Sequence, residues 1–195
     1  MNIEGTHTFA TPRDMVWSMM FDTDVLVNAI PGCEKLEQTG ENSYSGILKI
    51  GVGPVQGRFS GTIALSAVNA PEGYQLTFRG NSETGFVSGT GVVELIDEGE
   101  SCIVQYRSDA QVGGQLSGVG ERLLETSARA IVRQTLEALE KQINIKLHPE
   151  MDWDEDEVVE TAVNSPSQTA FAAGVAKNML TEIIPPEQQE KAKVA

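Results

Sequence analysis

The chain has 195 residues and a net charge of -14, with a sequence pI near 4.5. That charge excludes nucleic acid, which needs a basic partner surface, and excludes electrostatic attachment to an anionic bilayer. At this length one domain plus an extension is expected, with a hydrophobic core large enough to stand without staples.

Met1 to Phe9 reads as a strand with Ile3, His7 and Phe9 on one face. Thr11 is positioned to cap a short helix with Pro12 at its first position and Asp14 in its first turn. That helix carries Met15, Val16, Trp17, Met19 and Met20. Asp22-Thr23-Asp24 opens a second short helix through Leu26 and Ile30, ended by Pro31-Gly32.

From Cys33 the apolar period changes to two. Cys33 to Gln38 and Tyr44 to Ile50, with Leu48 inward, read as paired strands around Thr39 to Asn42. The cleanest alternation follows Gly53-Pro54: Val55, Gly57, Phe59, Gly61, Ile63, Leu65 and Ala67 share one face, the mark of a half-buried antiparallel strand. Tyr74, Leu76 and Phe78 point inward on the next strand. Gly85 to Ile96 is a strand bent by its glycines, and Cys102, Val104, Tyr106, Ala110 and Val112 form the inner face of the last one.

The strand breaks at Gly113-Gly114, and a long helix is expected from Ser117, as N-cap, to about Ile143. Leu124, Ala128, Ile131, Val132, Thr135, Leu136, Leu139 and Ile143 lie on its apolar arc. Arg122, Arg129, Arg133, Glu137 and Glu140 lie opposite, as a solvated face with (i, i+4) pairs. The order β-α-α, six strands, long helix predicts an α+β domain: a curved antiparallel sheet of about seven strands wrapped on that helix.

This domain spans 1–145. An acidic linker follows over 146–164 and a tail over 165–195. Ten acids and three lysines from Glu150 onward place half of the net charge of -14 in the extension. Ser165-Pro166-Ser167-Gln168 begins an amphipathic helix at about 166–184, with Phe171, Val175, Met179, Leu180 and Ile183 on one face as candidate partner or membrane contacts. No stretch reaches the roughly 20 apolar residues of a membrane span, and no signal peptide is visible.

Chemistry is sparse. The histidines His7 and His148 have no Cys or carboxylate at metal spacing, so no metal site is expected. No catalytic residue is expected either. His7 with Tyr106 is the one pair an enzyme on this fold, a hydrolase or cyclase, would use. Cys33 and Cys102 read as reduced, buried thiols of a cytoplasmic protein. The glycine-rich runs fit bends, not phosphate loops. What remains is the inward face, where large side chains alternate with glycine and alanine. Such a face permits a cavity, and Trp17, Met20, Leu26, Ile30, Leu48, Phe59, Ile63, Phe78, Tyr106, Leu124, Ile131 and Thr135 are its candidate lining.

Several stretches resemble one family: Ile30-Pro31-Gly32-Cys33; Gly53-Pro54-Val55 with Gly57-Arg58-Phe59-Ser60-Gly61; Gly85-Phe86 with Gly89; and Gln111 to Leu116 leading into Gly120-Glu121-Arg122-Leu123. Trp17 and Asp22 to Leu26 fit as well. In this order and spacing, Met1 to Ile143 is similar to the carbon monoxide dehydrogenase G-subunit family, of the START-like, helix-grip superfamily. The resemblance implies a cytoplasmic, non-catalytic accessory protein of an aerobic molybdenum-containing dehydrogenase. It implies an apolar ligand such as a quinone and a role in bringing the enzyme to the inner face of the membrane. A pure assembly or maturation factor working through the tail is the other non-enzymatic reading.

Overall fold

A computed structural model describes residues 1–147. The chain forms β1 (Asn2–Phe9), α1 (Arg13–Met19), α2 (Thr23–Ala29), β2 (Cys33–Gly40), β3 (Ser43–Val52), β4 (Val55–Asn69), β5 (Gly73–Ser82), β6 (Gly85–Asp97) and β7 (Cys102–Gly114). A 3-10 turn (Gln115–Val119) then leads into α3 (Glu121–Leu147). All seven strands join one antiparallel sheet in the order β1-β7-β6-β5-β4-β3-β2. The first two strands therefore stand at opposite edges, and α1 and α2 carry the chain between them.

The period-two reading of the strands holds. On β4, Phe59 is buried and Ile63 and Leu65 are half-buried, while Arg58, Ser60, Thr62 and Ala64 between them are exposed. The core is concentrated at one end. There Phe9, Val16, Met19, Val25, Ala29, Leu95, Cys102 and Val104 meet Leu136, Leu139 and Ile143 of α3. α1 and α2 form the plug that closes this end.

The capping pattern is partly as expected. Asp22 caps α2, its carboxylate accepting from the backbone N–H groups of Asp24 (3.1 Å) and Val25 (3.3 Å). Thr11 does not cap α1: Pro12 occupies the cap position, and the Thr11 hydroxyl is buried without a partner. The long helix starts later than the sequence indicates. β7 continues through Gly114, and Ser117 sits in the 3-10 turn, donating to the Gly114 carbonyl (2.7 Å) instead of capping α3. Gly120, at φ 95, makes the reversal into α3 that a side chain would strain, and its carbonyl accepts the Leu124 N–H.

Both cysteines are buried and unbridged. No helix of the described residues is long and apolar enough to cross a membrane. The linker and tail, including Phe171, Val175, Met179, Leu180 and Ile183, lie outside the described residues.

Candidate functional site

The helix touches the sheet near its margins. The closest backbone approaches of α3 to the strands are to β1 and β3, with α1 and α2 against it as well. In the sheet order, β4, β5, β6 and β7 lie between those two supports. A helix held at two margins of a curved sheet bridges the middle, and the burial pattern fits a bridge. From the sheet side, Leu48, Ile63, Leu65, Leu76 and Phe78 point inward yet remain half-buried. On α3, Leu124, Ala128, Ile131 and Thr135 are likewise half-buried, while Ser127 and Ala130 among them are buried. Apolar side chains that keep some solvent access on both surfaces are the burial pattern that a groove between sheet and helix would give.

Its two ends are closed. The packed core closes one. At the other, the 3-10 turn crosses β4, β6 and β7, and Val52, Phe59 and Leu116 are buried. The β3–β4 turn abuts α3 here: a Cβ on Gly53 would lie 3.1 Å from Leu123 and 3.7 Å from Val119.

The floor is kept low by glycine. Phe78 on β5 faces Gly89 on β6, and Leu76 faces Gly91. A Cβ on Gly89 would stand 2.8 Å from the Phe78 ring, and one on Gly91 would stand 3.3 Å from Leu76. The large side chains thus lean into the space that the missing Cβ atoms leave.

At the core end of the groove stands an aromatic cluster. Trp17 lies 4.8 Å from Phe21 and 5.9 Å from Tyr74, ring centre to ring centre, and Phe21 lies 5.4 Å from Tyr74. Burial, and after it the neighbouring Tyr44, pushes the Tyr74 phenol well up.

The expected lining residues fall at the following places in the fold. Leu48, Ile63, Phe78, Leu124, Ile131 and Thr135 are half-buried on the two facing surfaces, and Trp17 and Met20 pack against the core at the closed end. Leu26 and Ile30 are half-buried on and just after α2. Phe59 is buried at the far end and closes the groove more than it lines it. The Thr135 hydroxyl donates to the Ile131 carbonyl (2.8 Å), so its proton is already engaged within the helix.

Tyr106 sits elsewhere than the groove's centre. It lines a cleft of about 180 Å³ between β1 and α3, together with Thr6, His7, Thr126, Arg129, Ala130, Arg133 and Leu136. His7 and Tyr106 therefore do share a site. The His7 Nε2 is bonded to Glu140 (3.1 Å), and the hydroxyl-bearing side chains of the lining are Thr6, Thr126 and Tyr106. Two residues read from the sequence as solvated are engaged here. Glu140 holds His7, and Arg129 donates to the Glu4 backbone carbonyl (2.9 Å). Only Arg133 with Glu137 (3.6 Å) makes the expected (i, i+4) pair among them. Nothing local in the sequence points to His7–Glu140, because the partners are 133 positions apart. Among the described residues no group of three or more His, Cys, Asp or Glu side chains is placed to hold a metal ion.

A seven-stranded antiparallel sheet gripping a long helix, with two short helices after the first strand, defines a helix-grip, START-like protein. More narrowly, the chain belongs to the carbon monoxide dehydrogenase G-subunit (CoxG) family, whose model matches residues 5–144. This membership associates it with carbon monoxide dehydrogenase in an accessory role. Among solved structures it is similar to a conserved protein from Geobacillus kaustophilus, at 30% identity and TM-score 0.71, covering 74% of this chain and 95% of that one. It shares its fold with a START superfamily protein from Mycobacterium smegmatis (12% identity, TM-score 0.58, covering 73% and 97%). The same holds for an aromatase/cyclase from a Streptomyces species (16% identity, TM-score 0.54, covering 75% and 95%). No curated protein matches the chain.

Proposed function

We propose that this protein is a non-catalytic carrier that holds an apolar ligand, a quinone, in the groove beneath α3. In this reading it couples a molybdenum-containing carbon monoxide dehydrogenase to the membrane in which quinones reside. The observation that carries the proposal is the bridged middle of the sheet. Facing apolar surfaces kept half-exposed are a poor way to build a core and a good way to leave room for a guest. A ligand burying about 300 Å² of apolar surface would gain roughly 7 kcal/mol of transfer free energy before association costs. That suffices for reversible carriage without any chemistry. Family membership supports the partner, and the groove supports the ligand. The tail, for which the sequence leads one to expect an amphipathic helix at about 166–184, is the proposed contact with partner or membrane, and the protein is proposed to be cytoplasmic, peripheral on the inner face.

Two measurements test this reading. Native mass spectrometry after mild extraction is expected to show the chain with a quinone mass added, and calorimetric titration with a short-chain quinone to show saturable binding. Failure of both sinks the carrier role. Deleting residues from 148 onward is expected to leave quinone binding intact and abolish recruitment of the dehydrogenase. Retained recruitment would remove the tail from the mechanism.

A further inference from the structure

The cleft beside β1 has a composition that the groove lacks. Tyr106 reaches it from the inner face of β7, its ring passing over the Cβ-less Gly5 of β1. Arg129 and Arg133 reach it from α3, one turn apart. Burial pushes the Tyr106 phenol up, while both guanidinium groups pull it back down, so both fields reach its hydroxyl. Arg129 has donated one N–H to the Glu4 carbonyl, which leaves most of its five donors uncommitted to the protein. The acceptors on the same side are already engaged, Glu140 with His7 and Glu137 with Arg133. Hydrogen-bond donors are therefore in excess, while the two carboxylates offset most of the positive charge. Such a site suits a neutral oxygen acceptor better than an oxyanion.

On α3 the cleft's Arg129 and Arg133 lie on the face opposite Leu124, Ala128 and Ile131, so the way from cleft to groove runs along the sheet beneath the helix. Between Leu76 and Phe78 on β5 and Ser108 and Ala110 on β7, the intervening inner-face positions are Gly91 and Gly89. β6 raises no side chain at these two positions, over which Leu76 and Phe78 lean, while opposite Tyr106 itself it carries the buried Val93. We propose that the cleft is the head-group site of the carrier. There a carbonyl oxygen of the ligand's ring accepts from the Tyr106 hydroxyl and from Arg129 or Arg133, while the apolar part lies in the groove. This assignment rests on the carrier reading and specifies what that reading leaves open, namely which end of the ligand is recognised and by what.

The test is calorimetric titration of the full chain with three probes of equal chain length: a decyl-substituted benzoquinone, decylbenzene and a decyl carboxylate. The wild type is expected to bind the quinone about tenfold tighter than decylbenzene. Tyr106→Phe keeps the ring over Gly5 and removes only the hydroxyl. It is expected to weaken the quinone about five- to tenfold and leave decylbenzene unchanged. The double variant Arg129→Gln, Arg133→Gln is expected to do the same, with thermal melts confirming that each variant is folded. If quinone and decylbenzene bind the wild type alike, or if the variants leave the quinone's advantage intact, the head-group assignment is wrong and the carrier reading survives. Tightest binding of the carboxylate would overturn the choice of a neutral acceptor. If none of the three probes binds the wild type, the carrier reading itself falls.

Discussion

The two halves of α3 face the same sheet and do different work. Its second half brings Leu136, Leu139 and Ile143 against Phe9, Cys102 and Val104; Leu139 is 1% exposed and Ile143 is 0% exposed. In its first half Leu124, Ala128, Ile131 and Thr135 stay half-buried, and the buried positions are the small Ser127 and Ala130. The difference is not in hydrophobicity, since both halves are apolar on the inner side. It lies in what fills the gap. α1 and α2 are wedged in at one end, and between that wedge and the 3-10 turn the helix rests on β1 and β3 at the sheet's margins. One end of the interface thus supplies stability and the middle supplies room.

Truncating one residue in each half should separate the two roles most clearly. Leu139→Ala should destabilise the fold by about 2–5 kcal/mol, read as the shift of a urea unfolding curve at constant slope. Ile131→Ala, about two turns earlier, should shift the curve by less than about 1 kcal/mol, because a half-buried side chain leaves no sealed cavity behind. Equal losses would mean that the groove is an ordinary core.

The converse change fills the room. Ala128→Phe should leave stability within about 1 kcal/mol of the wild type while reducing quinone binding at least tenfold. A large loss of stability instead would show that no space exists beneath the helix.

The closed end has an electrostatic latch in Lys146–Asp22 (3.1 Å). The hydrogen bond from Lys146 comes first among the causes that hold the Asp22 carboxyl below its ordinary value of 3.8, followed by the cap bonds opposing burial. A carboxyl with a depressed folded-state pKa contributes its stability above the unfolded value. It loses that contribution as the pH falls through the folded one. Asp22→Ala should therefore be destabilised by about 1 kcal/mol at pH 7, mainly through the lost cap. Its deficit relative to the wild type should shrink below pH 3.8, measured by urea melts across pH. Asp22→Asn, which keeps the cap and loses only the charge pair with Lys146, should cost less than Asp22→Ala at pH 7, and its deficit should likewise shrink below pH 3.8.

The smallest effect concerns the thiols. Burial pushes both Cys33 and Cys102 up, so both should react slowly with an aromatic disulfide in the native state. Cys102 is sealed in the packed end and should react only on global unfolding. Cys33, beside Leu48 at the start of β2, should react first if the open half breathes locally.

Much of this architecture is legible in the sequence, for reasons that also explain the gaps. Strands alternate on a strict period, so Phe59, Ile63, Phe78 and Val104 declare their face without any structure. Caps are harder to read, because the same residues serve several turns. Ser117 has the right chemistry for an N-cap, but the glycines on either side let the chain wind a 3-10 turn first and start α3 at Glu121. Thr11 looks like a cap and is buried instead. The groove's lining follows from face parity, whereas its openness does not, because that depends on how far the helix stands from β4, β5 and β6. The cleft is the least legible part. Arg129 and Glu140 carry the period of a solvated helix face, and only the approach of β1, more than a hundred residues away in sequence, gives them partners.

The pairing of β1 with β7 dictates when the chain can finish folding. Ile3 aligns with Ser108 and Phe9 with Cys102, so the first strand of the sheet to leave the ribosome is among the last to find its neighbour. Until then β2 through β6 can zip together as a meander, but that meander has no closing edge, no wedge against a helix and no lid. Docking β1 supplies the edge, anchors the α1–α2 crossing and provides the rail on which α3 lands. The packed end and the open groove therefore mature in the same late step, and a chain interrupted before α3 presents neither.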